Sequence, residues 1–527
     1  MIRIYEKGFF KMILIEPSVI SKIDSFACDR LGISARTLML RAAQAIEGAV
    51  RSYVPKDGSV CILAGKGNNG GDGYAAAILL MKDYDVTVYD VFSSGQRSDE
   101  GRYYLDSYIS LGGVVRQLDL DSDATEDISS SDCIIDAVFG TGFVGELPEN
   151  AKKLANILDK LSDKVILAVD VPLGVNASSA EVDKEASYHA TATVALGFVK
   201  PGLVSYPAKE YVGKLIYDNI GLHCDAVLSE FKSDSYYIDY ELACSFIPSR
   251  STNSNKGTFG KLLMITGSSE FVGAGHLSLE AALRAGVGYV TYVGERSMCD
   301  SLVQKLPEAI YKPGDVANID TNLLEEILGL SKKSTAILIG SGCPVNEGLR
   351  LLVERLLCED GAPIILDAGA LSVLEHTPDH TVSAIKNSRR KVIITPHPLE
   401  LSRLSGIPVE DICSHRLSVA RSFAARNNCI LVLKGAGTIV TDGKMTFINS
   451  SGSSALAKAG SGDVLAGFLS SVIAAWVDPI NAAALAVYFH GRAGDELARE
   501  LSEFGVIPSD LPVMIAKQLA LAINDGI

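Results

Sequence analysis

Tryptophan occurs once in 527 residues, and the aromatic residues together make up only 7% of the chain. No apolar run is long enough to cross a bilayer. The longest, residues 464–477, carries Ser470 and Ser471 and falls short of the roughly 20 residues a span needs. Residues 1–11 are charged and lack the apolar core of a secretory signal. The ten cysteines form no CxxC pair and no repeated spacing, which argues against a disulfide framework or a zinc site and for reduced thiols in the cytoplasm. Cys413 and His415, the nearest approach to a metal-ligand cluster, have no partners in sequence. Lys/Arg-rich tracts are also missing, and 48 basic against 63 acidic residues leave a net charge of −15, so nucleic acid is not the expected partner. No Walker A pattern occurs, which excludes a P-loop fold.

What is abundant is glycine, 48 residues, within a chain that is 47% hydrophobic. The length exceeds one compact core and implies at least two domains. Short apolar runs rich in Val and Ile recur at 60–64, 86–91, 133–138, 165–169, 192–196 and 214–217, with helical patterns such as 73–82 and 151–161 between them. A polar stretch interrupts the alternation between 222 and 242. It then resumes with runs at 262–266, 289–293, 336–339, 363–366, 392–395, 430–433 and 445–448, and helices at 277–285 and 463–475. Strand–helix alternation of this kind predicts parallel sheets with right-handed crossovers. The expected class is α/β, in two domains over 1–230 and 240–527.

The nine residues GKGNNGGDG at 65–73 follow a strand and open a helix. Gly65, Gly67 and Gly70 satisfy GxGxxG, and Asp90 ends the next strand, the pattern of a dinucleotide fold with an acid on a ribose. A glycine turn that merely packs a helix on a sheet gives the same pattern. Asn68, Asn69 and Asp72 favour a binding loop, because polar side chains crowded into a tight turn cost desolvation unless they hold a ligand. Two more strand ends converge on the same edge. Asp136 leads into Phe139-Gly-Thr-Gly142 and then Gly145 and Glu146, while Asp170 leads into Val171-Pro-Leu-Gly174. Ligands of open α/β sheets sit beyond such carboxyl ends.

Near the other terminus, AKAGSGD at 457–463 precedes an apolar helix. Its glycines admit an anion to the backbone, and the helix N-terminus adds partial positive charge. Asp463 lies in the first turn, where it either caps the helix or faces the anion. His397 stands between two prolines after a strand, so rigid backbone aims it.

These motifs carry a resemblance over about residues 20–225 and 245–520. GKGNNGGDG, DAVFGTG and DVPLGV resemble the NAD(P)H-hydrate epimerase domain. The resemblance implies a Rossmann-like three-layer sandwich that holds hydrated nicotinamide nucleotide on Asn68, Asn69, Gly70, Gly71, Asp72, Gly140, Thr141, Gly142, Phe143, Val144, Gly145, Glu146 and Asp170. It also implies Asp170 as catalytic group and a potassium ion at Asn69, Asp136 and position 173. Leu173 stands where the family has serine, and LMLRAA at 38–43 replaces its usual LMENAG.

AKAGSGD, with Lys434-Gly-Ala-Gly437 upstream, is similar to the ribokinase-like superfamily. TPHPLE at 395–400, NKGTFGK at 255–261, GSG at 340–342 and LDAGA at 366–370 narrow this to its ADP- or ATP-dependent NAD(P)H-hydrate dehydratases. The implied catalytic base is Asp463. The implied nucleotide site is Lys434, Gly435, Ala436, Gly437, Thr438, Gly460, Ser461 and Gly462, with ADP or ATP and Mg²⁺. The implied hydrate site is Ala274, Gly342, His397 and Asp463. Together the halves imply a bifunctional repair enzyme and a homo-oligomer, with neither nucleic acid nor membrane as partner. The rival readings are a ribokinase-type kinase for a vitamin alcohol carrying a nucleotide-binding N-terminal module, and an epimerase-like half reduced to a binding module.

Overall fold

The structure, a computed structural model, describes residues 12–92, 95–120, 124–143, 145–375, 383–475 and 477–524. The chain forms two compact units, meeting between Ser235 and Tyr236. Val144 lies outside the described residues.

The first unit is built on seven parallel strands: β1 (Ser59–Ala64), β2 (Asp85–Asp90), β3 (Val115–Gln117), β4 (Cys133–Ala137), β5 (Val165–Val169), β6 (Ala192–Leu196) and β7 (Lys214–Asp218). Their order is β3-β2-β1-β4-β5-β6-β7, so the winding reverses between β1 and β4. The strands are apolar on both faces because helices cover both, and separate buried clusters lie above and below the sheet. Helices α1 (Pro17–Leu31), α2 (Ala35–Tyr53) and α3 (Asn68–Leu80) pack on one face. Helix α3 begins earlier than the expected residue 73. Asn68, Asn69 and Asp72 therefore occupy its first turns instead of a loop. Glycine makes this early start possible: a Cβ on Gly70 would lie 2.0 Å from the Gly65 carbonyl oxygen, so only glycine lets the helix begin against the strand end.

The second unit has a larger sheet. Parallel strands β8 (Lys261–Ile265), β9 (Tyr289–Gly294), β10 (Ile310–Pro313), β11 (Ala336–Ile339), β12 (Ile364–Leu366), β13 (Val392–Ile394) and β14 (Ile430–Leu433) are extended by antiparallel β15 (Ile439–Thr441) and β16 (Thr446–Asn449). The order β16-β15-β14-β13-β12-β11-β8-β9-β10 places the reversal between β8 and β11. Helices α4 (Val272–Arg284), α5 (Pro398–Ser405), α6 (Ser461–Ala474) and α7 (Pro479–Gly505) frame its strand ends. Almost every residue of α6 after Asp463 is buried, which is why its sequence is apolar all round.

Candidate active sites at two strand-end clusters

In the first unit the loops after β1, β4, β5 and β6 surround a cavity of about 1150 Å³ beside the switch point. Asn69 is buried and donates from Nδ2 to the carbonyls of Phe139 (2.9 Å) and Val169 (3.1 Å), tying three strand ends together. Asp170 sits in the left-handed region, φ +66°, a strained conformation for a side chain other than glycine. That turn aims its carboxylate at the cavity. Oδ2 accepts from Thr141 N (3.3 Å), and Oδ1 accepts from the ammonium of Lys200, which is 1% exposed. Lys200 donates a second bond to the Leu196 carbonyl (2.9 Å).

The same cavity is lined by Asp24 of α1, Asp72, Glu100, Asn68, Gly140, Gly142, Gly145 and Glu146. Phe139 and Phe143, their rings stacked 4.1 Å apart, add a flat apolar wall. Burial pushes the Asp72 carboxyl well above its usual range, and Asp170 and Asp24 push the same way. Burial also raises Asp24 to about 6, with Lys200 opposing.

Several expectations are corrected here. Gly70 and Gly71 turn away from the cavity; a Cβ on Gly71 would meet Met39 at 2.6 Å, so these glycines serve helix packing. Asp90 does not reach the cavity but pairs with Arg97, which removes the ribose-acid reading.

Potassium does not fit the residues meant to hold it. Asp136 is fully buried inside β4, with Oδ1 accepting from Val138 N (3.1 Å) and Oδ2 from Leu173 N (3.1 Å) and the Tyr188 hydroxyl (2.7 Å). Leu173 contributes a backbone donor and an apolar side chain packed in the core. Asn69 turns its NH₂ toward the Phe139 and Val169 carbonyls. This donor-rich set is closed by protein hydrogen bonds.

In the second unit, the corresponding cluster gathers around Lys434. Asp367, 2% exposed, accepts from Ser341 Oγ (2.7 Å) at Oδ2, and from Thr395 Oγ1 (2.7 Å) and Lys434 Nζ (3.2 Å) at Oδ1. Lys434 Nζ lies 3.7 Å from Glu400, and its backbone N–H bonds the Pro396 carbonyl, joining the loops after β13 and β14. Burial works against the charge on Lys434, but Asp367 and Glu400 more than offset it, and its pKa is raised.

Asp463 projects from the first turn of α6. Burial, then Asp367, raises it to about 7, while Lys434 pulls it down. Gly460, with φ +103°, caps the helix. A Cβ on Gly462 would lie 3.5 Å from Lys434 Nζ, so the anion loop and the lysine loop face one another. Gly435 rests over the guanidinium of Arg416, and Thr438 Oγ1 bonds the Gly435 carbonyl. Ala274 and Gly342 meet where α4 approaches the β11 loop.

His397 has a defined structural task. It caps α5, its Nδ1 accepting from Glu400 N (3.2 Å), while its own N–H donates to Glu400 Oε2 (2.8 Å). That arrangement leaves the ring proton on Nε2, and burial lowers the pKa, so the ring is a neutral donor. No cluster of three His, Cys, Asp or Glu able to hold a metal exists among the described residues. Mg²⁺ fits here chiefly as an ion carried by nucleotide phosphates, its usual mode, because both Asp367 oxygens are already engaged.

Asp24, Lys200, Asp367 and Glu400 are the site residues that sequence reasoning did not assign. For Lys200 a signal existed: it is the one charge in the otherwise apolar run 192–204. Ala436 and Gly437 complete the β14 loop, with Gly437 at φ +58°.

Two α/β units, each gathering acids around a lysine at the carboxyl ends of parallel strands, define a two-site nucleotide-handling protein. Comparison with known proteins is specific. The family described as YjeF-related protein N-terminus matches residues 35–202, and NAD(P)H-hydrate dehydratase matches 262–517. The bifunctional NAD(P)H-hydrate repair enzyme Nnr of Thermofilum pendens is 30% identical over 95% of this chain and 95% of its own length. That of Escherichia coli is 30% identical over 92% and 90%. A solved ADP/ATP-dependent NAD(P)H-hydrate dehydratase from Bacillus subtilis, co-crystallised with ATP/Mg²⁺, is 30% identical, covering 54% of this chain and 98% of that one at a TM-score of 0.48. The chain belongs to the bifunctional NAD(P)H-hydrate repair enzyme family.

Proposed function

We propose that the first unit interconverts R and S hydrates of NAD(P)H, and that the second dehydrates the S form at the expense of ADP or ATP. The observation that carries this is Asp463 beside Lys434 in the mouth of an anion loop, in one chain with a cavity holding Asp170. A stereospecific dehydratase strands the other epimer, so the two activities belong together.

In the second unit, Gly460, Ser461 and Gly462 with the N–H groups of α6 receive the transferring phosphoryl group, and Lys434 to Thr438 line the nucleotide phosphates. Carried in on those phosphates, Mg²⁺ would supply charge neutralisation. Asp463 takes the proton from the ring 6-hydroxyl as that oxygen attacks the terminal phosphorus, whose bond to the bridging oxygen breaks and releases ADP from ATP or AMP from ADP. The C6–O bond then breaks with phosphate as leaving group, C5 gives up a proton, and the reduced ring is restored. His397, Ala274 and Gly342 border the ring. In the first unit the hydrate lies along Asn68, Asp72, Gly140, Thr141, Gly142, Phe143, Gly145, Glu146 and Asp170, and no potassium step is assigned. The chain works in the cytoplasm with its thiols reduced, and assembles with copies of itself.

The test mixes protein, R/S hydrate and Mg²⁺ with ATP or ADP and follows absorbance of the reduced ring. Recovery of both epimers is expected with one or both nucleotides. Recovery of the S half alone removes the epimerase activity, and no recovery removes the dehydratase. Accumulation of a stable phosphorylated product revives the kinase reading.

A further inference from the structure

Epimerisation by ring opening needs two groups at once. A base takes the proton of the 6-hydroxyl while its electrons form the C6 carbonyl. The C6–N1 pair goes to N1, which needs a proton from an acid. After rotation about C5–C6 the same groups return their protons and close the ring on the other face. No oxidant or co-reactant is required.

Among the carboxylates that line the cavity of the first unit, Asp24, Asp72 and Asp170 act on one buried lysine, Lys200. Asp170 is bonded directly by Lys200. Asp72 stands in the first turns of α3, and Asp24 projects from α1 across the cavity. Burial raises both Asp24 and Asp72, and Lys200 opposes it at each. We propose that Lys200 and Asp24 complete the acid–base set of the epimerase site, Lys200 as a positioning residue that holds Asp170 as the base, and Asp24 as the acid that protonates N1. This rests on the epimerase reading above.

Asp24 suits the role better than Asp72. A general acid works best when its proton leaves near the working pH. Asp24 is held near 6, with burial raising it and Lys200 opposing, whereas burial pushes Asp72 well above the usual carboxylate range. The groups that face Asp24 are Lys200, Asp170 and Asp72, with Cys28 on its own helix and Glu100 farther along the cavity wall.

The experiment follows R–S interconversion by chromatography in the full chain, without nucleotide, across pH. The wild-type rate is expected to fall as pH rises through about 6, because the protonated fraction of Asp24 falls there. Asp24→Asn is expected to slow the reaction about 100-fold and flatten that limb, with Asp24→Glu restoring it. Lys200→Met is expected to slow it similarly through kcat with KM little changed, and Lys200→Arg to restore part of the rate, a rescue that a purely packing role does not give. Melting curves confirm that each variant folds. An active chain whose Asp24→Asn variant keeps the falling limb, or whose Lys200→Met variant keeps the wild-type kcat, overturns this assignment alone. A wild-type chain that leaves both epimers unchanged at every pH overturns the epimerase reading, and this assignment with it.

Discussion

The two sites share a plan and differ in where the lysine stands. In each, an aspartate follows a parallel strand at a left-handed residue: Asp170 itself at φ +66° in the first unit, and Ala368 at φ +43° beside Asp367 in the second. In each, one lysine answers several carboxylates, fully buried in the first unit and partly buried in the second. Lys200 lies in the wall, bonded to Asp170 and a carbonyl, beside a cavity of about 1150 Å³ with room for a large ligand. Lys434 lies in the glycine loop itself, opposite the N-terminus of α6, where an anion arrives from outside. A lysine held in a wall fixes the charge of a base. A lysine in a loop is available to a phosphoryl group as well.

The largest expected difference follows from Asp463. Asp463→Ala is expected to lower dehydration by about 1000-fold or more, the combined loss of a base and its placement. R–S interconversion in the same chain should continue at the wild-type rate. Measuring both activities on one preparation checks it; survival of dehydration would show that Asp463 is not the base.

Next in size is the response to pH, which should run in opposite senses in the two units. Asp463 is raised to about 7 and must be ionised to accept a proton, so dehydration falls about tenfold per unit below that pH. Lys434 lowers this value, so Lys434→Met should move the limb upward as well as weaken nucleotide binding. Rate profiles with saturating nucleotide would show the limb. A flat profile below pH 7 would mean that another step governs the rate.

Much of this was legible in the sequence, and the parts that were not have common causes. Strand ends announced themselves because parallel strands buried on both faces must be apolar, and the polar residue that ends each run is conspicuous. Asp136 misled for the same reason. It looked like a strand end, yet β4 continues through Ala137 and buries it under Tyr188, a residue 52 positions away that no local pattern connects to it. Asp24 was invisible because it sits in the middle of an amphipathic helix, where one acid resembles any solvated charge. His397 was singled out for its rigid setting, and its Nδ1 is engaged in capping α5.

A smaller effect concerns His490, buried on α7 with its ring bonded to the Ser461 carbonyl (3.0 Å). Burial lowers its pKa to about 4. The depressed value means that stability from this group is lost as pH falls through the unfolded value of about 6.5 toward 4, because the unfolded chain gains the proton first. His490→Phe should remove the hydrogen bond at a cost of about 1–2 kcal/mol and loosen the start of α6. The variant's melting temperature should then depend less on pH between 6.5 and 4 than that of the wild type, which differential scanning calorimetry resolves.

The smallest expected effect is the one that separates this chain's first unit from the potassium site its resemblance implies. Replacing K⁺ by choline at constant ionic strength should leave both the melting temperature and the R–S interconversion rate unchanged, since Asp136 is already satisfied by Val138, Leu173 and Tyr188. Tyr188→Phe deletes one of those donors and should cost about 1–2 kcal/mol. Adding Leu173→Ser supplies the missing oxygen beside it, and the double variant is expected to regain stability in K⁺ but not in choline. A wild-type chain stabilised by K⁺ would show that the ion displaces the tyrosine hydroxyl. The two units would then both depend on cations, and the contrast between a site closed by its own donors and one that admits a Mg²⁺-bearing nucleotide would be lost.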